Sequence, residues 1–196
     1  MVSLLVFATC DIKPDEWADF ARALTLKDTD IKPYVLVTSD SPEDFKSRTN
    51  SLDSSANTQL GSATYSQLRG LFRKLVDQED PAPLSIDQFM ILEEQSISAR
   101  NVVIYHREEE WVHPDGTRFP CDLTELGRDV HGRDDEDQFA PKIVWRRYRV
   151  PYEKAEFHWL VLESKGGSRC DNVEDYRKFL EDVEIAPIEE KAFKYK

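Results

Sequence analysis

The sequence has no apolar run long enough to cross a membrane, and it has few cysteines. A membrane-spanning helix needs about 20 consecutive apolar residues, and no stretch of the 196 residues approaches that length. The apolar start, residues 1–10, has no basic leader and is too short for a secretory signal. Cys10, Cys121 and Cys170 are odd in number and form no CxxC motif, which favours free thiols in a reducing compartment. These absences predict a cytoplasmic protein without a membrane segment.

The sequence also lacks the compact motifs that identify common catalytic, metal and nucleotide sites. There is no HExxH, no HxH, no alternating Asp/Asn calcium loop, no GxxxxGK[ST] and no GxSxG. A formal net charge of −12 opposes contact with the phosphates of nucleic acid. No cofactor, nucleic acid or membrane partner is therefore predicted, and no signature identifies an enzyme. Oligomeric state has no sequence signal.

The charge that is present is concentrated in one segment. Residues 108–137 contain eleven acids and three bases, a net charge of −8, and residues 142–149 reverse the sign with Lys142, Arg146, Arg147 and Arg149. Charge of one sign concentrated in this way usually serves a partner or an ion. The pattern predicts an acidic insertion, residues 108–140, next to a basic strand.

Apolar periodicity predicts a β-α-β opening. Residues 2–8 are a continuous apolar run, typical of a strand covered on both faces. Pro14 suits the first turn of a helix, and the apolar residues that follow it recur with helical spacing: Trp17, Phe20, Ala21 and Leu24. Residues 34–38 are a second apolar stretch. Such a unit is almost always parallel.

The rest of the chain predicts more strands and helices in the same domain. Residues 47–63 are mostly polar and predict a mobile loop, and a helix with an apolar face follows from Tyr65. Further strands are expected at residues 89–92, 102–105, 143–150 and 157–162, with a hairpin at 111–119 and a last helix after Asn172. The fold class is α/β, with α+β as a variant: one domain, residues 1–196, with a mixed, partly parallel sheet of five or six strands, three or four helices, and a loosely held tail at 187–196.

Polar residues follow the first two predicted strands. Thr9, Cys10 and Asp11 end the first, and Thr38, Ser39 and Asp40 end the second. Ligands of open parallel sheets bind beyond the carboxyl ends of the strands. If the two strands are neighbours, Cys10 is a candidate nucleophile, Asp11 and Asp40 are a candidate acid/base pair, and the hydroxyls are candidate ligand contacts. Alternatively, these residues only terminate strands and cap helices.

The basic strand and the histidines offer two further candidate sites. Arg146, Arg147 and Arg149 are candidate contacts for an anionic ligand, with Trp145 as a stacking surface. The alternative is that acids of the insertion or of neighbouring strands neutralise these cations. His106, His113 and His131 are weak candidates for a metal site, because their spacing matches no compact motif.

Four segments carry a resemblance to a known group: LLVFATC (4–10), DEWADFARAL (15–24), FMILEE (89–94), and WLVLES (159–164) followed by DNVEDYRKFL (171–180). In these segments the chain resembles small uncharacterised α/β proteins of filamentous fungi, which have shorter bacterial relatives. The resemblance covers about half of the chain and leaves out the acidic insertion. It implies an α/β fold and no particular activity.

Two functional hypotheses follow. The first is a non-catalytic cytoplasmic binding module whose acidic insertion faces a basic protein or covers the chain's own basic strand. The second is an enzyme or small-ligand-binding protein that uses the strand ends around Cys10, Asp11 and Asp40.

Overall fold

The computed structural model of the chain describes residues 3–25, 33–41, 48–76, 84–85, 87–115, 118–119, 140–163 and 184–188. Along the chain these residues form β1 (Leu4–Ala8), α1 (Pro14–Ala23), β2 (Tyr34–Val37), α2 (Tyr65–Val76), β3 (Gln88–Leu92), α3 (Glu94–Ala99), β4 (Asn101–Val112), β5 (Arg118–Phe119), β6 (Ala140–Pro151), α4 (Tyr152–Glu163) and β7 (Glu184–Ile188). This arrangement confirms the predicted α/β class with a mixed, partly parallel sheet and four helices.

One sheet contains all the strands, in the order β2-β1-β3-β4-β6-β7, with the short β5 paired to β4. Strand β1 is parallel to both β2 and β3, whereas β4, β6 and β7 continue the sheet with antiparallel pairs. The predicted neighbourhood of the first two strands is therefore confirmed. Pro187 lies in β7, at the edge of the sheet path, where a missing N–H costs little.

Strand β1 is completely buried because helices cover both faces of the sheet. Alternate residues of β1 point to opposite faces. Leu4, Val6 and Ala8 join a core with α1 and α4, whereas Leu5 and Phe7 join a second core with α2. Helices α1 and α2 thus lie on opposite faces. The strand order changes direction at β1, because β2 lies on one side of it and β3 on the other.

Local signals position the two helices that begin near the strand ends. At α1, the Glu16 carboxylate accepts a hydrogen bond from the Lys13 backbone N–H at 2.9 Å, and Pro14 occupies the first turn. At α2, Gln67 Oε1 accepts from the Thr64 backbone N–H at 2.8 Å, and Thr64 Oγ1 accepts from the Gln67 N–H at 3.3 Å. Both arrangements satisfy N–H groups that a helix start leaves unpaired.

One prediction is wrong: residues 157–162 are not a strand but part of helix α4. Four buried side chains, Tyr152, Ala155, Trp159 and Leu162, recur at helical spacing and pack into the core with α1. A short apolar run does not distinguish a strand from a buried helix by itself. The longer segment that begins at Tyr152 shows apolar residues at helical spacing.

The remaining predictions divide between confirmed elements and residues that are not described. The hairpin is confirmed by antiparallel pairs that join Trp111 to Phe119 and Val112 to Arg118. The last helix expected after Asn172 lies outside the described residues, as does the tail beyond Ile188.

Core packing yields a direct stability prediction. Phe89 is fully buried, and its ring lies 4.8–5.9 Å from the rings of Phe7, Phe72, Tyr105 and Trp145. Phe89→Ala should lower the free energy of unfolding by about 3–5 kcal/mol. Phe157 is 49% exposed and supplies the matched control. Phe157→Ala should change the free energy of unfolding by less than about 0.5 kcal/mol. Urea denaturation of both variants checks this, and equal losses would contradict the assigned core.

Candidate functional site

A polar segment crosses the carboxyl ends of β1 and β2. Thr58 Oγ1 donates to the Ala8 carbonyl at 2.5 Å and to the Thr38 carbonyl at 3.3 Å. The Thr58 backbone N–H donates to Asp11 Oδ1 at 2.8 Å, and the Gln59 N–H donates to the Thr38 carbonyl at 2.7 Å. Asp11 and Thr38 therefore hold this segment in place.

The other residues of this rim have separate positions. Thr9 donates its backbone N–H to the Leu92 carbonyl at 2.8 Å and so joins β1 to β3. Ser39 is buried, and its Oγ accepts from the Ser41 N–H at 3.0 Å. Asp40 is exposed and makes no hydrogen bond or ion pair with a described residue. The structure therefore does not join Asp40 to Asp11 as an interacting pair.

Cys10 lies half-buried as a free thiol beside the core that contains α1. Burial raises its pKa, and the carboxylates of Glu16, Glu94, Asp11 and Glu93 raise it further. Both effects disfavour the thiolate, which is the nucleophilic form of cysteine. Cys10 is therefore a poor nucleophile at neutral pH.

Two of the predicted arginines meet acidic and aromatic partners on the α2 face of the sheet. Arg149 donates to the Glu93 carboxylate and, at 3.1 Å, to Asn101 Oδ1. Tyr65 Oη donates to the same Glu93 carboxylate at 3.0 Å, and the Arg147 guanidinium lies 5.0 Å from the centre of the Tyr65 ring. The acid that neutralises Arg149 thus comes from the end of β3.

A second guanidinium–phenol contact lies one helical turn further along α2. The Arg69 guanidinium is 5.8 Å from the centre of the Tyr105 ring, and burial lowers the pKa of Arg69. Burial also raises the pKa of Tyr105, to about 12, although Arg147 and Arg69 act in the opposite direction. The phenol therefore stays neutral between these cations.

Trp145 does not offer a stacking surface to a ligand, because its side chain is fully buried. Its ring packs 5.9 Å from Phe72 and 5.9 Å from Phe89 in the core under α2. Arg146 lies half-buried between Trp145 and Arg147, and alternation along β6 directs it to the opposite face. The four predicted ligand contacts of the basic strand thus do not share one surface.

His106 and His113, the two described histidines of the predicted metal site, do not converge on one point. His106 is buried within β4, whereas His113 follows the end of that strand and contacts Asp115 at 2.9 Å. Seven residues of extended strand separate them by roughly 23 Å, too far for one metal ion. His131 lies outside the described residues, among which no group of three metal-ligating side chains occurs.

A groove of about 270 Å³ lies on the α1 face, and we call it the switch-point groove. Its lining consists of Asp15, Glu16, Asp19, Ile97 and Tyr152. These residues come from α1, α3 and the start of α4, which meet beside the carboxyl ends of β1 and β3. In doubly wound folds, ligands usually bind where the strand order reverses. This groove is lined by helix residues only, and none of them belongs to β1 or β3.

Arg100 closes one side of the switch-point groove. Its guanidinium pairs with Asp19 and, at 2.9 Å, with Glu153, and it lies 5.6 Å from the centre of the Tyr152 ring. These contacts raise the pKa of Arg100, chiefly through the hydrogen bond to Glu153. Arg100 has a left-handed backbone with a φ of 50°, as the residue that ends helix α3.

Sequence reasoning missed the residues after β3 and the start of α4. Glu93 and Glu94 directly follow an apolar strand, which is the same signal that identified Cys10 and Asp11 after β1. Asp15 and Glu16 stand in the first turn of α1, where acids stabilise the helix dipole, so their presence is not by itself a sign of a groove. Tyr152 had no local signal as a groove residue, because its position depends on how α4 packs against α1.

No family model, curated protein or solved structure matches this chain. The resemblance to the fungal proteins stays a prediction. Among the helices that the structure describes, none has the length and apolar character needed to cross a membrane.

The environment of Cys10 predicts how its alkylation depends on pH. In a chain with Cys121→Ser and Cys170→Ser, the rate of iodoacetamide alkylation should rise with a midpoint above the ordinary thiol range of about 8.5–9. Glu16→Gln removes one carboxylate that disfavours the thiolate, so it should lower that midpoint. A midpoint at or below the ordinary range would contradict the assigned burial and charges.

Proposed function

We propose that this chain is a non-catalytic binding module that contacts a basic protein through an acidic arm, residues 108–140. The observation that carries the proposal is the length of β4 and β6. They pair over twelve residues, from Asn101 opposite Pro151 to Val112 opposite Ala140. Among the described residues, β3 pairs with residues 103–106 of β4, and β7 pairs with residues 145–149 of β6.

The outer part of this ribbon contains the first and last residues of the acidic arm. Residues 108–112 of β4 pair with residues 140–144 of β6, and the short β5 adds two residues beside them. Five residues of strand extend about 17 Å. Glu108, Glu109 and Glu110 belong to this extension, and the residues that follow in sequence contain eight further acids up to Asp137.

The contacts of the basic strand support an external partner rather than the chain's own arginines. Arg149 already pairs with Glu93, and Arg147 already lies over Tyr65. Those cations have partners in the body of the sheet. Because surface potentials of opposite sign attract and orient partners, an acidic arm suits a basic protein surface.

A second candidate function is small-ligand binding at the switch-point groove. It is favoured by the groove of about 270 Å³ that α1, α3 and the start of α4 line on the α1 face of the sheet.

Removing the arm tests the first proposal. Val112 and Ala140 are paired, so an Asn-Gly turn can replace residues 113–139 and close the hairpin. Fluorescence anisotropy with a labelled decalysine peptide should show tight, salt-sensitive binding to the full chain and a loss of at least about tenfold in affinity after the replacement. Equal affinity of both chains would overturn the proposal.

A charge-matched pair of variants separates the arm from net charge. Glu108→Gln, Glu109→Gln and Glu110→Gln together should weaken peptide binding. Asp40→Asn, Asp53→Asn and Glu156→Gln remove the same charge from the body of the molecule and should weaken it less. Equal losses would mean that overall charge attracts the peptide, and that the arm has no specific role.

A further inference from the structure

Arg147 is a half-buried cation that the described residues hold in place without neutralising it. Its guanidinium lies 5.0 Å from the centre of the Tyr65 ring, and it forms no ion pair with a described residue. On the two neighbouring strands the residues opposite it are Tyr105 and Ala186, neither of which is an acid. The ring contact orients the guanidinium plane, and the positive charge remains available to an anion.

Two further guanidinium groups lie on the same side of the sheet. Arg149 follows Arg147 on the same face of β6, where the Glu93 carboxylate fixes its side chain. Arg69 comes from α2 and lies 5.8 Å from the centre of the Tyr105 ring. We call Arg69, Arg147, Arg149, Tyr65 and Tyr105 the arginine–tyrosine cluster. Each added cation makes the local potential more favourable for an anion.

The cluster also contains a buried hydroxyl that lacks an acceptor. Tyr105 is fully buried, and its Oη has no hydrogen-bond partner among the described residues. Burial raises the pKa of this phenol, and the charges of Arg147 and Arg69 oppose the rise, so both guanidinium groups lie near the hydroxyl. Guanidinium groups donate hydrogen bonds and accept none. Arg69, Arg147 and Tyr105 therefore bring donors together and supply no charged acceptor.

The position of the cluster in the fold is the usual one for a ligand. Strand β6 runs in the same direction as β3, because each is antiparallel to β4. Arg149 near the end of β6 and Glu93 directly after β3 therefore lie at the carboxyl ends of these strands, where open α/β sheets bind ligands. Unlike the switch-point groove, the cluster includes side chains of the strands themselves.

We propose that the arginine–tyrosine cluster binds the phosphate group of a small molecule, with the Arg147 guanidinium as its principal contact and Arg149 and Tyr65 beside it. An arginine fork matches two phosphate oxygens at once. Several guanidinium groups favour phosphate over carboxylate, because a phosphate group carries nearly two charges at neutral pH. This inference depends neither on the acidic arm nor on the switch-point groove.

An NMR titration of the arginine Nε–Hε signals with inorganic phosphate tests the ligand class. At neutral pH and constant ionic strength, phosphate should shift the signals of Arg147 and Arg149 in a saturable way, and acetate should not. Acetate binding of equal or higher affinity would overturn the choice of phosphate. No saturable change at Arg147, or equal changes at all arginines, would overturn the site.

A charge-matched pair of variants tests Arg147, with phosphate binding followed at the Arg149 signal. Arg147→Gln should weaken binding by at least about tenfold, because it removes charge-assisted hydrogen bonds. Arg22→Gln removes the same charge from an exposed position on α1, which covers the other face, and should change the affinity less than about twofold.

Arg147→Lys separates charge from geometry. It keeps the cation and loses the planar fork, so its phosphate affinity should lie between those of the native chain and Arg147→Gln. Thermal denaturation without phosphate checks that all three variants fold. Equal affinities of Arg147→Gln and Arg22→Gln would contradict the assigned contact.

Discussion

Complete burial of β1 is the constraint on which the rest of this structure depends. Each of its five residues is fully buried, it pairs on both edges, and it is covered on both faces. A strand of this kind needs two helical layers, so α1 and α2 must lie on opposite sides of the sheet. The connections from β1 to β2 and to β3 therefore pass over opposite faces of the sheet. The polar residues that follow β1 lie at its carboxyl end, where such a strand order leaves a crevice.

The sheet separates two polar groups of opposite character at this crevice. On the α2 face, Arg147 and Arg149 contact Tyr65 and Glu93, and Arg69 lies over the Tyr105 ring. On the α1 face, carboxylates line the switch-point groove, with Arg100 at its side. Glu93 belongs to the α2 face through its contacts with Tyr65 and Arg149. Its carboxylate, like that of Glu94, also raises the pKa of Cys10.

The antiparallel half of the sheet contributes a different feature, the long ribbon of β4 and β6. Its two strands pair over twelve residues, and helix α4 contacts both of them. Strand pairing therefore continues along the described part of the ribbon as far as Val112 and Ala140.

Sequence alone determined the α/β class, the β-α-β opening, α2 and the hairpin at the start of the arm. Each of these features can be recognised locally, from the spacing of apolar residues or from the residues of a turn. It also placed polar groups at the ends of β1 and β2. Only tertiary structure decided that Asp11 holds Thr58, that Trp145 is buried, and that 157–162 is helical. The switch-point groove was beyond local reasoning, since Asp15, Ile97 and Tyr152 meet only after three helices pack around one strand end. Such meetings depend on strand order, and residue pattern within a single element carries no information about that order.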